Sequence, residues 1–139
     1  MAAINPYLNF NGNTMEAFDF YKSVFGGEFE TIMRHSDMPA GTGSSDADPN
    51  MIMHIALPIG KGSMLMGSDN PASYPAVVTG SNFWISISPE SKDEADKIFN
   101  GLAAGGKIMM PLADAFWGGY FGMLADKFGI QWMVNYQGQ

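Results

Sequence analysis

The sequence predicts an α+β fold in which a βαβββ module occurs twice, and three observations lead to this prediction. Two segments carry apolar residues at helical spacing, and each begins with a capping-box pattern and ends at a Gly-Gly pair. The dipeptide Glu16-Ala17 returns in the second segment as Glu94-Ala95. One strand-like segment precedes each helix and about three follow it. Two such modules are expected to form a curved mixed sheet around a cleft, with the helices outside.

The first module is predicted to cover about residues 1–70. Its first strand runs from Ile4 to Phe10, and Asn13 then caps a helix that has Glu16 at its third position and ends at Gly26-Gly27. The polar segment 36–50 should be an exposed, mobile loop. The other strands of this module are expected at 28–35, 51–58 and 63–68.

A polar connection at 71–81 leads to the second module, at about 82–139, and we interpret the 139 residues as a single domain. A strand at 82–88 precedes a helix that is capped by Ser91 and ends at Gly105-Gly106. A strand at 107–112 leads to the stretch 116–135, which contains two strands joined by a turn at Asp126–Gly129. In the last strand, Trp132 and Val134 alternate with more polar neighbours, which is typical of a half-buried strand.

Composition excludes several function classes. Fourteen acidic against seven basic residues give a net charge of −7, which disfavours nucleic acid and anionic membranes as partners. The absence of cysteine excludes disulfides, thiolate catalysis and cysteine-bound zinc. No membrane-length apolar run and no signal peptide are visible, so we expect a cytoplasmic protein.

Three phrases carry a resemblance to a known family: PYLNFNGNTMEAFDFYKSVFGGE, HIALPIG with MLMGSD, and FWGGYFGMLADKFGIQWMVN. Together with the duplicated module, they resemble the PhnB-like branch of the glyoxalase/bleomycin-resistance/dioxygenase superfamily, also called vicinal oxygen chelate. The resemblance implies a glyoxalase-like fold. That branch has sometimes carried a 3-demethylubiquinone methyltransferase label, but the glycine motif at 41–43 lacks the third glycine and the strand–helix context of a nucleotide-binding loop.

Metal-dependent members of the superfamily hold a divalent ion with side chains from the first and last strands of each module. When these metal-binding positions are transferred to this sequence by their spacing from the helices, they fall on Pro6, Met66, Trp84 and Met133. None of these side chains is a competent ligand for a hard or borderline divalent cation. We therefore expect no bound metal, and we expect no other cofactor.

The same strands suggest an apolar ligand pocket with a few polar groups, the usual form of a small-molecule site. His54 is the one weak candidate for catalysis, since it lies mid-strand, although the sequence favours a core or sheet-face histidine that a neighbour satisfies. Asp69 and Asp114 are possible lone acids, or they cap turns. The predicted ligand-binding residues, which could instead be plain core, are His54, Met64, Met66, Ser68, Trp84, Ser86, Trp117, Phe121, Gln131 and Met133.

Two function classes follow from these residues. In the first, the protein is a metal-free module that binds a small, partly apolar molecule in the cleft. In the second, it is an enzyme of the superfamily, of lyase, isomerase or oxygenase type, that uses a non-standard acid–base residue such as His54. In either case the open sheet edges predict a homodimer, and superfamily members commonly dimerise. A dimer that serves protein interaction alone is a third possibility.

Overall fold

The computed structural model describes residues 2–37, 49–60, 62–71 and 74–137, and the order βαβββ occurs twice within them. The first module contains β1 (Tyr7–Phe10), α1 (Thr14–Phe25), β2 (Thr31–Arg34), β3 (Ile52–Ile59) and β4 (Ser63–Asp69). The second contains β5 (Ile85–Ile87), α2 (Lys92–Ala103), β6 (Lys107–Asp114), β7 (Tyr120–Ala125) and β8 (Gln131–Tyr136). The predicted fold class is confirmed.

The chain divides into two compact units, Met1–Val78 and Thr79–Gln139, here called unit 1 and unit 2. The division falls within the predicted connection at 71–81. Each unit contains one mixed four-stranded sheet, in the order β1-β4-β3-β2 in unit 1 and β5-β8-β7-β6 in unit 2. The first and last strands of each module pair in parallel, and the other pairs are antiparallel. The two modules therefore share one topology.

The predicted loop at 36–50 falls largely on residues 38–48, which lie outside the described residues. On its N-terminal side, β2 ends at Arg34, and His35–Asp37 form a single 3₁₀ turn. The Asp37 carboxylate stabilises this turn by accepting a hydrogen bond from the Arg34 backbone N–H at 2.9 Å. In the described part of the chain, no helix is long and apolar enough to cross a membrane.

Helix α2 begins as the capping pattern predicts. The Ser91 hydroxyl accepts a hydrogen bond from the Glu94 N–H at 3.0 Å. The Glu94 carboxylate accepts one from the Glu90 N–H at 2.7 Å, one residue earlier than in the usual capping box. The buried stripe of the helix is the predicted one, formed by Ala95, Ile98, Phe99 and Leu102.

Helix α1 begins differently from the prediction. Asn13 stands at the N-cap position, but its side chain makes no capping hydrogen bond. The Asp69 carboxylate takes that role from the end of β4, because its Oδ1 accepts from the N–H groups of Gly12 at 3.1 Å and Thr14 at 2.9 Å. A charged acceptor at a helix N-terminus is stabilised further by the helix dipole.

Asp69 is only 5% exposed, and it makes two more hydrogen bonds. Oδ1 accepts from the Thr14 hydroxyl at 2.6 Å, and Oδ2 accepts from the Ile52 N–H at 2.9 Å. The carboxylate thus connects the end of β4 with the start of α1 and the start of β3. The sequence left open whether Asp69 is a lone acid or caps a turn, and its contacts support the structural role.

The core of each unit lies between its helix and one face of its sheet. In unit 1, the rings of Phe10 and Phe18 meet edge-on at 6.4 Å between β1 and α1. A Cβ added to Gly67, in the middle of β4, would lie 2.8 Å from both the Phe18 ring and the Leu8 carbonyl oxygen. Only glycine therefore lets the helix approach the sheet this closely.

Unit 2 uses the same device with other residues. A Cβ on Gly122, in the middle of β7, would lie 2.7 Å from the Phe99 ring of α2. Trp132 is fully buried, and its indole N–H donates to the Asp126 carboxylate at 2.8 Å. The other oxygen of Asp126 accepts from the N–H groups of Phe128 and Ile130, which shapes the predicted turn before β8.

We expect Gly67→Ala and Gly122→Ala each to destabilise the protein by roughly 1–3 kcal/mol, because the added methyl group overpacks the helix–sheet contact. Urea denaturation followed by circular dichroism measures the change. Gly80→Ala is the matched control, since the nearest atom to a Cβ there is 3.8 Å away. If all three variants have the same stability, the close helix–sheet approach is not a constraint.

We expect Asp69→Asn to lower the free energy of unfolding by roughly 2–3 kcal/mol, because a neutral amide replaces a charged acceptor of four hydrogen bonds. Asp114→Asn is the control, since Asp114 forms an exposed ion pair with Lys92 and such pairs contribute ~1 kcal/mol or less. Thermal unfolding of the parent protein and of both variants gives the melting temperatures to be compared. Equal melting temperatures for Asp69→Asn and the parent would contradict the structural role.

Candidate functional site

The sheet of unit 1 has one face that α1 does not cover, here called open face 1. Strand alternation and register place every second residue of β1, β3 and β4 on it. In β4, Met64, Met66 and Ser68 are half-buried on this face, whereas Leu65 between them is buried under the helix. The predicted residues His54, Met64, Met66 and Ser68 therefore share one face.

Tyr7 also belongs to this face, although it was not among the predicted ligand-binding residues. Its hydroxyl lies 3.4 Å from Nδ1 of His54, and the two rings stack at 5.8 Å with an interplanar angle of 28°. Tyr7 is adjacent to Met66 in the β1–β4 register. The alternation of β1, with Leu8 and Phe10 buried, is the signal that could have placed Tyr7 on the opposite face.

A second polar contact lies beside the first. The Ser68 hydroxyl is 3.3 Å from Oδ1 of Asn9, its neighbour in the β1–β4 register. Asn5 contributes just before β1, where its side-chain oxygen accepts from the Met64 N–H at 3.0 Å. Open face 1 thus combines thioether side chains with a row of neutral hydrogen-bonding groups.

Unit 2 has a corresponding face opposite α2, here called open face 2. Ser86 of β5 lies next to Met133 of β8, which lies next to Met123 of β7. Phe121 and Asn135 form the adjacent pair on the same face. The predicted residues Ser86, Phe121, Gln131 and Met133 are therefore brought onto one face, and Met123 is an addition that the register supplies.

Three more predicted features of unit 2 concern Gln131, Trp84 and Trp117. The Gln131 amide donates to the Phe83 carbonyl at 2.8 Å, next to Trp84, which is half-buried immediately before β5. Trp117 lies in the turn between β6 and β7, with its ring 5.5 Å from that of Phe121 and edge-on to it. Trp117 therefore extends the aromatic surface at one end of open face 2.

The strand positions that hold metal in related proteins carry unsuitable side chains here. Pro6 and Trp84 immediately precede β1 and β5, and the register places Tyr7 beside Met66 and Ser86 beside Met133. Phenol, hydroxyl and thioether groups do not form a site for a divalent cation. Within residues 2–37, 49–60, 62–71 and 74–137, no group of three or more His, Asp or Glu side chains could hold a metal ion. These residues do not fit the superfamily metal, and the metal-free state stays a prediction.

Asp114, the other possible lone acid, belongs to a cluster beside α2. It pairs with Lys92 at 3.0 Å, and the Lys92 ammonium lies 4.9 Å from the centre of the Tyr120 ring. The Tyr120 hydroxyl donates to the Asp96 carboxylate at 2.6 Å, and this hydrogen bond is the main reason that the pKa of Tyr120 is raised. The cluster connects α2 with β6 and β7, and it lies apart from open face 2.

The fold and its duplicated topology agree with one family. The glyoxalase/bleomycin resistance protein/dioxygenase superfamily matches residues 3–134, and the chain belongs to it.

Its relatives include Protein YjdN of Escherichia coli K12, which is 33% identical over 140 residues that cover 95% of this chain and 93% of YjdN. The structure of protein PA1353 from Pseudomonas aeruginosa is 40% identical, covers all of both chains and superposes with a TM-score of 0.86. A PhnB protein from Bacillus cereus is 27% identical, with 97% and 99% coverage and a TM-score of 0.76. The resemblance to the PhnB-like branch is confirmed.

Proposed function

We propose that the protein binds a small, partly apolar molecule on its open faces, without a metal or other cofactor. One observation carries this proposal: both open faces present half-buried methionines mixed with a few neutral polar groups, while the core lies on the other side of each sheet. Faces that a helix does not cover, and that are rich in methionine, suit adaptable binding of small molecules.

The chemistry of the side chains supports a ligand with an apolar body. Met64, Met66 and Met133 supply flexible, polarisable thioethers. The aromatic residues Trp84, Trp117 and Phe121 supply flat surfaces for stacking. The proposed polar contacts are His54, Ser68, Ser86 and Gln131, all uncharged groups when the imidazole is neutral.

The name carried by the Bacillus cereus relative, 3-demethylubiquinone-9 3-methyltransferase, does not extend to this proposal. The glycine-rich segment 41–43 of this chain lies outside the described residues, and its sequence lacks the third glycine of a nucleotide-binding loop. Cytoplasmic location is part of the proposal.

We expect Met133→Ala to weaken binding of the neutral fluorescent probe N-phenyl-1-naphthylamine by about threefold or more, because the thioether surface on open face 2 is lost. Fluorescence titration gives the dissociation constant, and urea denaturation gives the stability, which should fall by less than about 2 kcal/mol. Val78→Ala is the control, since Val78 is 86% exposed and lies outside the strands of both open faces and outside β6, and it should change neither quantity.

Two results would count against this proposal. Probe binding that is absent in the parent protein refutes it directly. A stability loss of about 2–5 kcal/mol in Met133→Ala, with binding equal to that of Val78→Ala, would mean that Met133 is a core residue.

The homodimer is also proposed here, and the edge of unit 2 supports it. Strand β6 lies at the edge of its sheet, and its residues Ile108, Met109 and Met110 are each close to half exposed. An edge strand with a row of exposed apolar side chains is a surface that a second copy could cover.

We expect light scattering to give the mass of a dimer at micromolar concentration, and Ile108→Glu to give the mass of a monomer, since a charge at the interface is costly to bury. Val78→Glu introduces the same charge at an exposed site outside β6 and should leave the dimer intact. A parent protein that scatters as a monomer contradicts the proposal.

A second candidate function is an enzyme of lyase, isomerase or oxygenase type with His54 as its acid–base group. The Tyr7 hydroxyl near Nδ1 favours it, because a hydrogen-bonded partner orients an imidazole for proton transfer. The two candidates differ in the fate of the ligand. A binding protein returns its ligand unchanged after prolonged incubation, whereas an enzyme consumes it at a rate that falls when His54 is replaced.

A further inference from the structure

We propose that His54 presents its Nε2–H to the ligand, and that the ligand is a neutral, planar molecule with an acceptor oxygen such as a carbonyl. This inference rests on the proposed function, since it names the class of molecule that open face 1 takes. Three observations on that face carry it: the contact of Tyr7 with His54, the uncharged row of polar groups, and the stacking of the two rings.

The first observation concerns the tautomer of His54. A phenol hydroxyl carries one proton to donate, and the unprotonated nitrogen of a neutral imidazole is a stronger acceptor than a phenol oxygen. Tyr7, at 3.4 Å from Nδ1, is therefore the donor in this contact. With Nδ1 accepting, the single ring proton is on Nε2. The imidazole then offers a donor to a ligand, and a donor selects for an acceptor atom.

The second observation is the charge of the face. The described residues of β1, β3 and β4 on open face 1 include no Asp, Glu, Lys or Arg. The Ser68 hydroxyl donates to Asn9 Oδ1 at 3.3 Å, so the Asn9 amide directs its own N–H donors elsewhere. Because these three strands contribute no cation to the face, and the net charge of the chain is −7, a neutral acceptor is favoured over an anion.

The third observation is the shape of the surface. The rings of Tyr7 and His54 are inclined by only 28° and lie 5.8 Å apart, so their nearly parallel faces form an aromatic platform. Met66 lies between Tyr7 and Ala56 in the register of the sheet. A thioether beside aromatic rings adds favourable contacts with a flat ligand. The platform therefore suits an aromatic or conjugated molecule.

Long-range ¹H–¹⁵N NMR of the imidazole rings tests the tautomer without any ligand. The chain has two histidines, so His35 is an internal reference in the same spectrum. We expect His54 to be protonated on Nε2 in the parent, and Tyr7→Phe to shift it towards a mixture of tautomers while His35 is unchanged. A proton on Nδ1 in the parent, or a tautomer that does not respond to Tyr7→Phe, overturns the inference.

Binding of acetophenone and ethylbenzene tests the ligand class, because these probes have nearly the same shape and differ in the carbonyl oxygen. Titration by NMR should show acetophenone binding about threefold to tenfold more tightly, as one neutral hydrogen bond provides. His54→Leu should abolish this preference, His54→Gln should keep part of it through its amide donor, and His35→Gln is the control that should keep all of it.

The outcomes separate this inference from the proposed function. Equal binding of the two probes by the parent protein overturns the inference but leaves small-molecule binding intact. A preference that survives His54→Leu also overturns it, since the carbonyl would then contact another group. Failure of both probes and of N-phenyl-1-naphthylamine to bind refutes the proposed function, and with it the ligand class proposed here.

Discussion

The close approach of one helix to one face of each sheet is the constraint on which both units depend. It requires a residue without a Cβ at the point of contact, and Gly67 under Phe18 and Gly122 under Phe99 satisfy that requirement in the two units. Because the described residues of each unit contain one α-helix, that helix packs on only one face of the sheet. The half-buried side chains on the opposite face are consequently not part of the helix–sheet core, and they are the ones to which we assign ligand binding in the proposed function.

Buried carboxylates secure this arrangement where the elements meet. Asp69 and Asp126 are both almost fully buried, and each accepts hydrogen bonds from backbone N–H groups. Asp69 adds the Thr14 hydroxyl, and Asp126 adds the Trp132 indole. A buried charge is costly unless it is fully hydrogen-bonded, and these contacts meet that condition. Asp69, one of the two possible lone acids in the sequence, thus has a structural role, and the polar groups described on the open faces are neutral ones.

The sequence was sufficient where local rules determine the outcome. Periodicity and capping patterns, each defined by a few residues, predict the Ser91 cap, the buried stripe of α2 and the alternation of β8. The sequence was not sufficient where contacts between residues distant in the chain determine the structure. The cap of α1 comes from Asp69 in place of Asn13, because the fold brings the end of β4 to the start of the helix. Tyr7 was missed because strand register, and not spacing from a helix, places it beside Met66.

On an open face, the apolar and the polar side chains would contribute differently to the affinity and to the selectivity of ligand binding. Covering about 150 Å² of apolar surface stabilises a complex by roughly 4 kcal/mol, whereas one neutral hydrogen bond contributes about 1 kcal/mol. Methionines such as Met66 and Met133 would therefore supply most of the affinity, and they distinguish poorly between apolar shapes because their side chains adapt. Discrimination has to come from the few polar groups. On open face 1, the Ser68 hydroxyl already contacts Asn9, whereas the proposed tautomer of His54 leaves an Nε2–H for a ligand, so His54 is the residue through which such a face would select its ligand.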